Sequence, residues 1–202
     1  MGEPCALFID LGGVVLSNGW DRAARQRAVE HFGLDADEFR QRHDQAVNGW
    51  ELGRITLEEY LDRTVFYCPR PFSREAFRSF MLAQSRVEPE ALALVGRLAR
   101  PGRLLAALNN EGAELNEYRI RTFGLRRYFR LFLSSCYLGL RKPDPQIFRL
   151  ALQLTQCSPD EVVFVDDRAE NVEAARSVGL PAIHYQNVRQ LEAELRQLGI
   201  EF

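Results

Sequence analysis

Four short stretches of this 202-residue sequence carry side chains that could do chemistry together. In FIDLGGVV, Asp10 ends an apolar run and is followed closely by two glycines, Gly12 and Gly13. In VDDRAEN, the adjacent carboxylates Asp166 and Asp167 follow a second apolar run; such neighbours repel one another unless a cation sits beside them. RKPDP offers a cation, Lys142, and NNEG offers two amides, Asn109 and Asn110, directly after the apolar run LLAAL. Taken singly, each has a plain explanation: a turn aspartate, a helix cap at Asp167, a surface lysine, loop amides. Four polar clusters at the ends of strands in one sheet converge on one cleft. That cleft would combine clustered carboxylates with a lysine and amide donors, which suits a cation and an anion together.

The elements that must position these residues are legible from the apolar pattern. Short apolar runs recur at 5–9, 104–108, 131–133, 162–165 and 182–185, and from 104 onward helix-like sequence separates them. Runs that are apolar throughout and alternate with helices predict a parallel sheet covered on both faces, an α/β fold. Asp144-Pro145 opens one such helix and Gly179 with Pro181 stops another, over 169–178. Residues 20–85 break the rhythm with helical segments at 21–32, 35–47, 56–66 and 73–84, the third opened by a Thr56/Glu59 capping box. A helical insert after the first strand hangs over that strand's carboxyl end, where Asp10 lies, and where open α/β folds place ligands.

Composition narrows the function classes. With 46% hydrophobic residues the chain can bury a full core, and a formal net charge of −2 gives no electrostatic pull toward nucleic acid or an anionic membrane. No apolar run reaches the roughly 18 residues of a membrane span, and no secretory signal pattern is present. The four cysteines are scattered; Cys5 and Cys136 lie beside apolar runs and read as buried thiols, which points to a reducing, cytoplasmic setting. His31, His43 and His184 are dispersed and form no metal or triad pattern.

In order and spacing, DLGG, LNNEG, RKPDP and VDDRAEN resemble the four motifs of the haloacid dehalogenase superfamily, over essentially the whole chain. The resemblance implies a Rossmann-like core, residues 1–17 and 88–202, and a helical-bundle cap, residues 18–87. It implies a Mg²⁺-dependent phosphatase of small phosphorylated metabolites that works through an aspartyl-phosphate. Asp10 falls at the nucleophile position, Lys142 and Asn109 at the positions that neutralise and donate to the phosphate, with Gly12, Gly13 and Asn110 beside it. Asp10, Asp166, Asp167 and the Gly12 carbonyl would hold the metal. Asn18, Trp20, Trp50 and Glu51 could face the cleft from the cap and select substrate; the two tryptophans also read as cap core. Two positions depart from the family pattern: Gly12 stands where a second Asp usually protonates the leaving group, and Asn109 where Ser or Thr is usual. The alternatives are a metal-independent 2-haloacid dehalogenase, which the Asp166–Asp167 pair disfavours, and a phosphate-binding module of low turnover.

Overall fold

A computed structural model describes residues 4–202. In chain order the elements are β1 (Ala6–Ile9), α1 (Arg22–Phe32), α2 (Ala36–Glu51), α3 (Leu57–Thr64), α4 (Arg74–Ala83), α5 (Pro89–Leu98), β2 (Leu104–Ala107), α6 (Ala113–Thr122), β3 (Leu131–Phe132), α7 (Ser135–Leu138), α8 (Pro145–Thr155), β4 (Val162–Asp166), α9 (Ala169–Ser177), β5 (Ala182–His184) and α10 (Val188–Gln197). The five strands form one parallel sheet in the order β3-β2-β1-β4-β5. Strand order therefore reverses direction between β1 and β4, the switch point at which such sheets leave a crevice. Asp10 follows β1 and Asp166 ends β4, so the crevice receives both carboxylates.

The central strands are apolar throughout because both faces are covered. Leu7 and Ile9 of β1 join Leu94, Val95 and Leu98 of α5 and Leu191 and Leu195 of α10. Ala6 and Phe8, pointing the opposite way, join Ile147 and Phe148 of α8 and Ala175 of α9. The sheet margin differs from expectation. The run at 131–133 makes only the two-residue strand β3, an edge on which Leu131 is exposed. The thiols differ too: Cys5 precedes β1 and is exposed, and Cys136, on the short helix α7, is only half-buried.

Between β1 and α5 the described residues form helices α1–α4 and no strand. Asp21, Asp35, Thr56 and Ser73 each accept a hydrogen bond from a backbone N–H of the first turn, which is why the expected starts lie one residue early. Helix α2 runs four residues beyond the expected 47, because Trp50 stacks on Tyr60 of α3 at 4.8 Å and packing overrides the weak propensity of Asn48-Gly49. Trp20, Phe39, Trp50, Tyr60 and Phe77 share a core of their own, which Leu115 of α6 also enters. The chain leaves the sheet layer and returns to it side by side: Ser17 N–H donates to Arg86 O at 2.9 Å and Glu88 N–H to Val15 O at 3.0 Å. Among the described residues no helix is long and apolar enough to cross a membrane.

Candidate active site

Lys142 is the hub of the crevice. It is 1% exposed, and its ammonium donates to Leu108 O at 2.7 Å and Asp166 Oδ2 at 2.6 Å and pairs with Asp10 Oδ1 at 3.1 Å. Three acceptors match the three ammonium hydrogens. Burial alone would lower the lysine's pKa, but Asp10 and Asp166 more than offset it, and the net shift is upward. Asp10 experiences the opposite balance: burial pushes its carboxyl up to about 7 against the pull of Lys142, and Asp166 and Asp167 push the same way.

The two acids of the pair are held differently. Asp166 is fully buried, with Oδ1 accepting from the Arg168 N–H at 2.8 Å and from Asn171 Nδ2 at 2.9 Å. Asp167 does not cap α9, since the cap position is Arg168. Its Oδ1 is buried and has no hydrogen-bond partner among the described residues, and burial followed by Asp166 raises its pKa. One carboxylate oxygen from each of Asp10, Asp166 and Asp167 lies within 4.8 Å of the other two. An orphaned carboxylate oxygen beside two more is an all-oxygen donor set, of the kind a hard divalent cation takes. These residues fit a magnesium ion.

The carboxylates open into a cavity of about 370 Å³ whose wall includes Asp10, Gly12, Asn110, Lys142 and Asp167 from the sheet layer. From the helical layer and the segment leading into it come Asn18, Trp20, Trp50 and Glu51, all four of the residues expected to face the cleft. Both tryptophans are also core, so the two readings of them hold together. Glu51 pairs with Arg141 across the cavity rim at 3.1 Å, and burial, opposed mainly by Arg141, raises its pKa.

Three residues expected beside the phosphate have protein partners of their own. Asn109 does not line the cavity: its amide donates to Asn116 Oδ1 at 3.0 Å and its oxygen accepts from Ser134 Oγ at 2.8 Å, a closed buried network. Asn110 borders the cavity, but its side chain is tied at 2.8 and 2.9 Å to the carbonyl and N–H of Lys142, and so fixes the lysine's loop. Gly13 donates its N–H to Leu16 O at 2.7 Å. Its φ of +78° and a Cβ position that would collide with the Asp167 carboxylate explain why glycine stands there.

Asn171 and Arg119 escaped sequence reasoning, whereas Glu111 stands in the NNEG stretch and is, with Glu51, the carboxylate the sequence offers as a substitute proton donor for Gly12. Asn171 lies in the first turn of α9, within the VDDRAEN stretch that supplied the acids. Glu111 and Arg119 form a buried ion pair of 2.8 Å on the cavity wall. The available signal was on α6, where Asn116 and Arg119 share the buried side with Leu115 and Ile120.

A family model described as haloacid dehalogenase-like hydrolase matches residues 6–179. The chain belongs to the haloacid dehalogenase-like hydrolases. This hydrolase is 26% identical over 212 residues to bifunctional epoxide hydrolase 2 of Sus scrofa, covering 96% of the chain and 38% of that protein. The chain thus spans well under half the length of that relative. It is 27% identical over 184 residues to the fructose-1-phosphate phosphatase of Escherichia coli, covering 88% of the chain and 94% of that protein. A family enzyme from Bacteroides thetaiotaomicron, solved with magnesium and inorganic phosphate, superposes with a TM-score of 0.74 at 22% identity, over 92% and 98% of the two chains. An L-2-haloacid dehalogenase does so with a TM-score of 0.63 at 22% identity, over 90% and 83%. These two likenesses carry the shared fold.

Proposed function

We propose that this hydrolase cleaves small phosphate monoesters in a Mg²⁺-dependent reaction through an aspartyl-phosphate on Asp10. The observation that carries this reading is the carboxylate cluster around Lys142, with one buried Asp167 oxygen that finds no donor among the described residues. A carbon-attacking enzyme needs no such cluster, whereas a carboxylate attacking a phosphate dianion must have its repulsion offset. Asp10, Asp166, Asp167 and the Gly12 carbonyl would hold Mg²⁺, which supplies charge neutralisation between nucleophile and phosphate. Asp10 presents its free oxygen to phosphorus, because Oδ1 is engaged by Leu11 N–H at 2.7 Å and by Lys142. Lys142 orients Asp10, works against the burial that raises its carboxyl pKa, and faces the phosphate from the cavity wall.

Residues 18–87 act in this reading as a cap over a core of residues 1–17 and 88–202, and Asn18, Trp20, Trp50 and Glu51 select the ester. The modest cavity suits a small metabolite, in keeping with the sugar-phosphate phosphatase that matches along most of the chain. The four free cysteines accord with a cytoplasmic setting. Purified protein is assayed against a panel of phosphate monoesters and a 2-chloro acid, each with Mg²⁺ and with EDTA. Phosphate release with Mg²⁺ that disappears in EDTA is expected. Full activity in EDTA, or halide release alone, overturns the reading.

A further inference from the structure

Gly12 has no side chain with which to protonate a leaving group, yet its neighbourhood is not bare. A Cβ placed there would lie 3.8 Å from Arg119 Nη1, and that nitrogen donates to Glu111 Oε2 at 2.8 Å. The other terminal nitrogen of Arg119 bonds the Ser17 carbonyl, so the guanidinium is anchored between the first loop and Glu111. Glu111 is equally fixed. Its N–H donates to Ser135 Oγ at 3.0 Å, which donates on to Glu51 O at 2.6 Å, and its Oε1 lies 3.2 Å from the Gly112 N–H. Both residues are buried and both line the cavity beside Asp10 and Gly12.

Resting on the phosphatase reading, we infer that Glu111, positioned by Arg119, supplies the proton to the leaving oxygen that Gly12 cannot. As the bond from Asp10 to phosphorus forms, the ester P–O bond breaks. Its electron pair stays on the leaving oxygen, which takes the Glu111 proton and departs as an alcohol. Arg119 then faces the Glu111 carboxylate directly. In the second half, Glu111 takes a proton from the water that attacks phosphorus, the aspartyl P–O bond breaks, and inorganic phosphate leaves.

The charged surroundings suit that exchange. Burial pushes Glu111 up to about 7; Arg119 on α6 pulls it down and Glu51 at the end of α2 pushes it up. Cys136 on α7, another titratable neighbour, is pushed by its own burial to about 12 and stays uncharged. An acid poised near the working pH is the most effective donor. Glu51 is the weaker candidate by position: it lies with Arg141 at the rim, whereas Glu111 is tied through Arg119 to the segment beside Gly12.

The experiment compares Glu111→Gln and Arg119→Lys with wild type on p-nitrophenyl phosphate and on the alkyl phosphate that wild type turns over fastest. Melting temperatures are recorded alongside. A nitrophenolate leaves without a proton and an alkoxide does not. Glu111→Gln is expected to lose about 10²-fold or more in kcat on the alkyl ester, and a much smaller factor on the aryl one. The alkyl kcat/KM of wild type is expected to fall as pH rises through about 7, where the carboxyl has no proton to give. That limb should vanish in Glu111→Gln and shift in Arg119→Lys. Equal losses on both esters, or an unchanged alkyl rate, overturn the inference alone. Wild type inert toward both esters removes the phosphatase reading, and the inference with it.

Discussion

At the scale of single residues, the chemistry rests on carboxylates whose positions are set by backbone rather than by long side chains. Asp10 is the sharpest test. Asp10→Asn keeps the shape and the hydrogen bond from Leu11, but the amide is a poor nucleophile. Incorporation of phosphate into acid-quenched protein is expected to disappear while the circular dichroism spectrum stays unchanged; labelled Asp10→Asn protein would show the nucleophile to be elsewhere. The acids and Lys142 were legible in the sequence because the acids follow apolar runs and Lys142 stands just before the helix that Asp144-Pro145 opens. Asn109, Asn110 and Gly13 were legible as special but not in what they do. Their partners, Ser134, the Lys142 backbone and Asp167, are 25, 32 and 154 residues away, and only the folded sheet brings them near.

At the scale of elements, the loop after β2 and the end of α2 interlock through Gly112. Its backbone is an ordinary extended conformation, φ −69°, yet a Cβ there would run into the Trp50 indole. Gly112→Ala therefore has to push Trp50 off its stack on Tyr60. We expect a loss of about 1–3 kcal/mol, read as a lower melting temperature with a changed tryptophan fluorescence. An unchanged melting curve would show that the indole yields freely. Sequence patterning found β1, β2 and β4, whose apolar runs are fixed by burial on both faces. It overrated the run at 131–133, because an edge strand is covered on fewer sides, and it stopped α2 short, because only Trp50's distant partner sustains the last turn. Helix α6 was the hardest to interpret: Asn116 and Arg119 lie where apolar residues would mark a core face.

At the scale of the whole molecule, the two layers meet over the cavity, the sheet layer bringing Asp10, Asp167 and Lys142 and the helical layer most of the remaining wall. Selectivity should then answer to the helical side. Glu51→Gln, which weakens the pairing with Arg141 across the rim, is expected to reorder KM values across a phosphate panel by several-fold. The rate on p-nitrophenyl phosphate should move less. A uniform fall in every rate, together with a lower melting temperature, would make Glu51 a structural residue instead. The run of helices α1–α4 between β1 and α5 was the most legible feature of all, since a change from strand-helix alternation to helix alone needs no knowledge of partners. What sequence could not show is how the layers are joined. The outgoing and returning segments are hydrogen-bonded neighbours, Ser17 to Arg86 and Glu88 to Val15. Whatever length of chain is spliced between two such adjacent points, β1 need not shift to accommodate it. A different helical segment could therefore be spliced in at these points, and on the proposed reading the choice of ester would change with it, while the carboxylates and their lysine stay where they are.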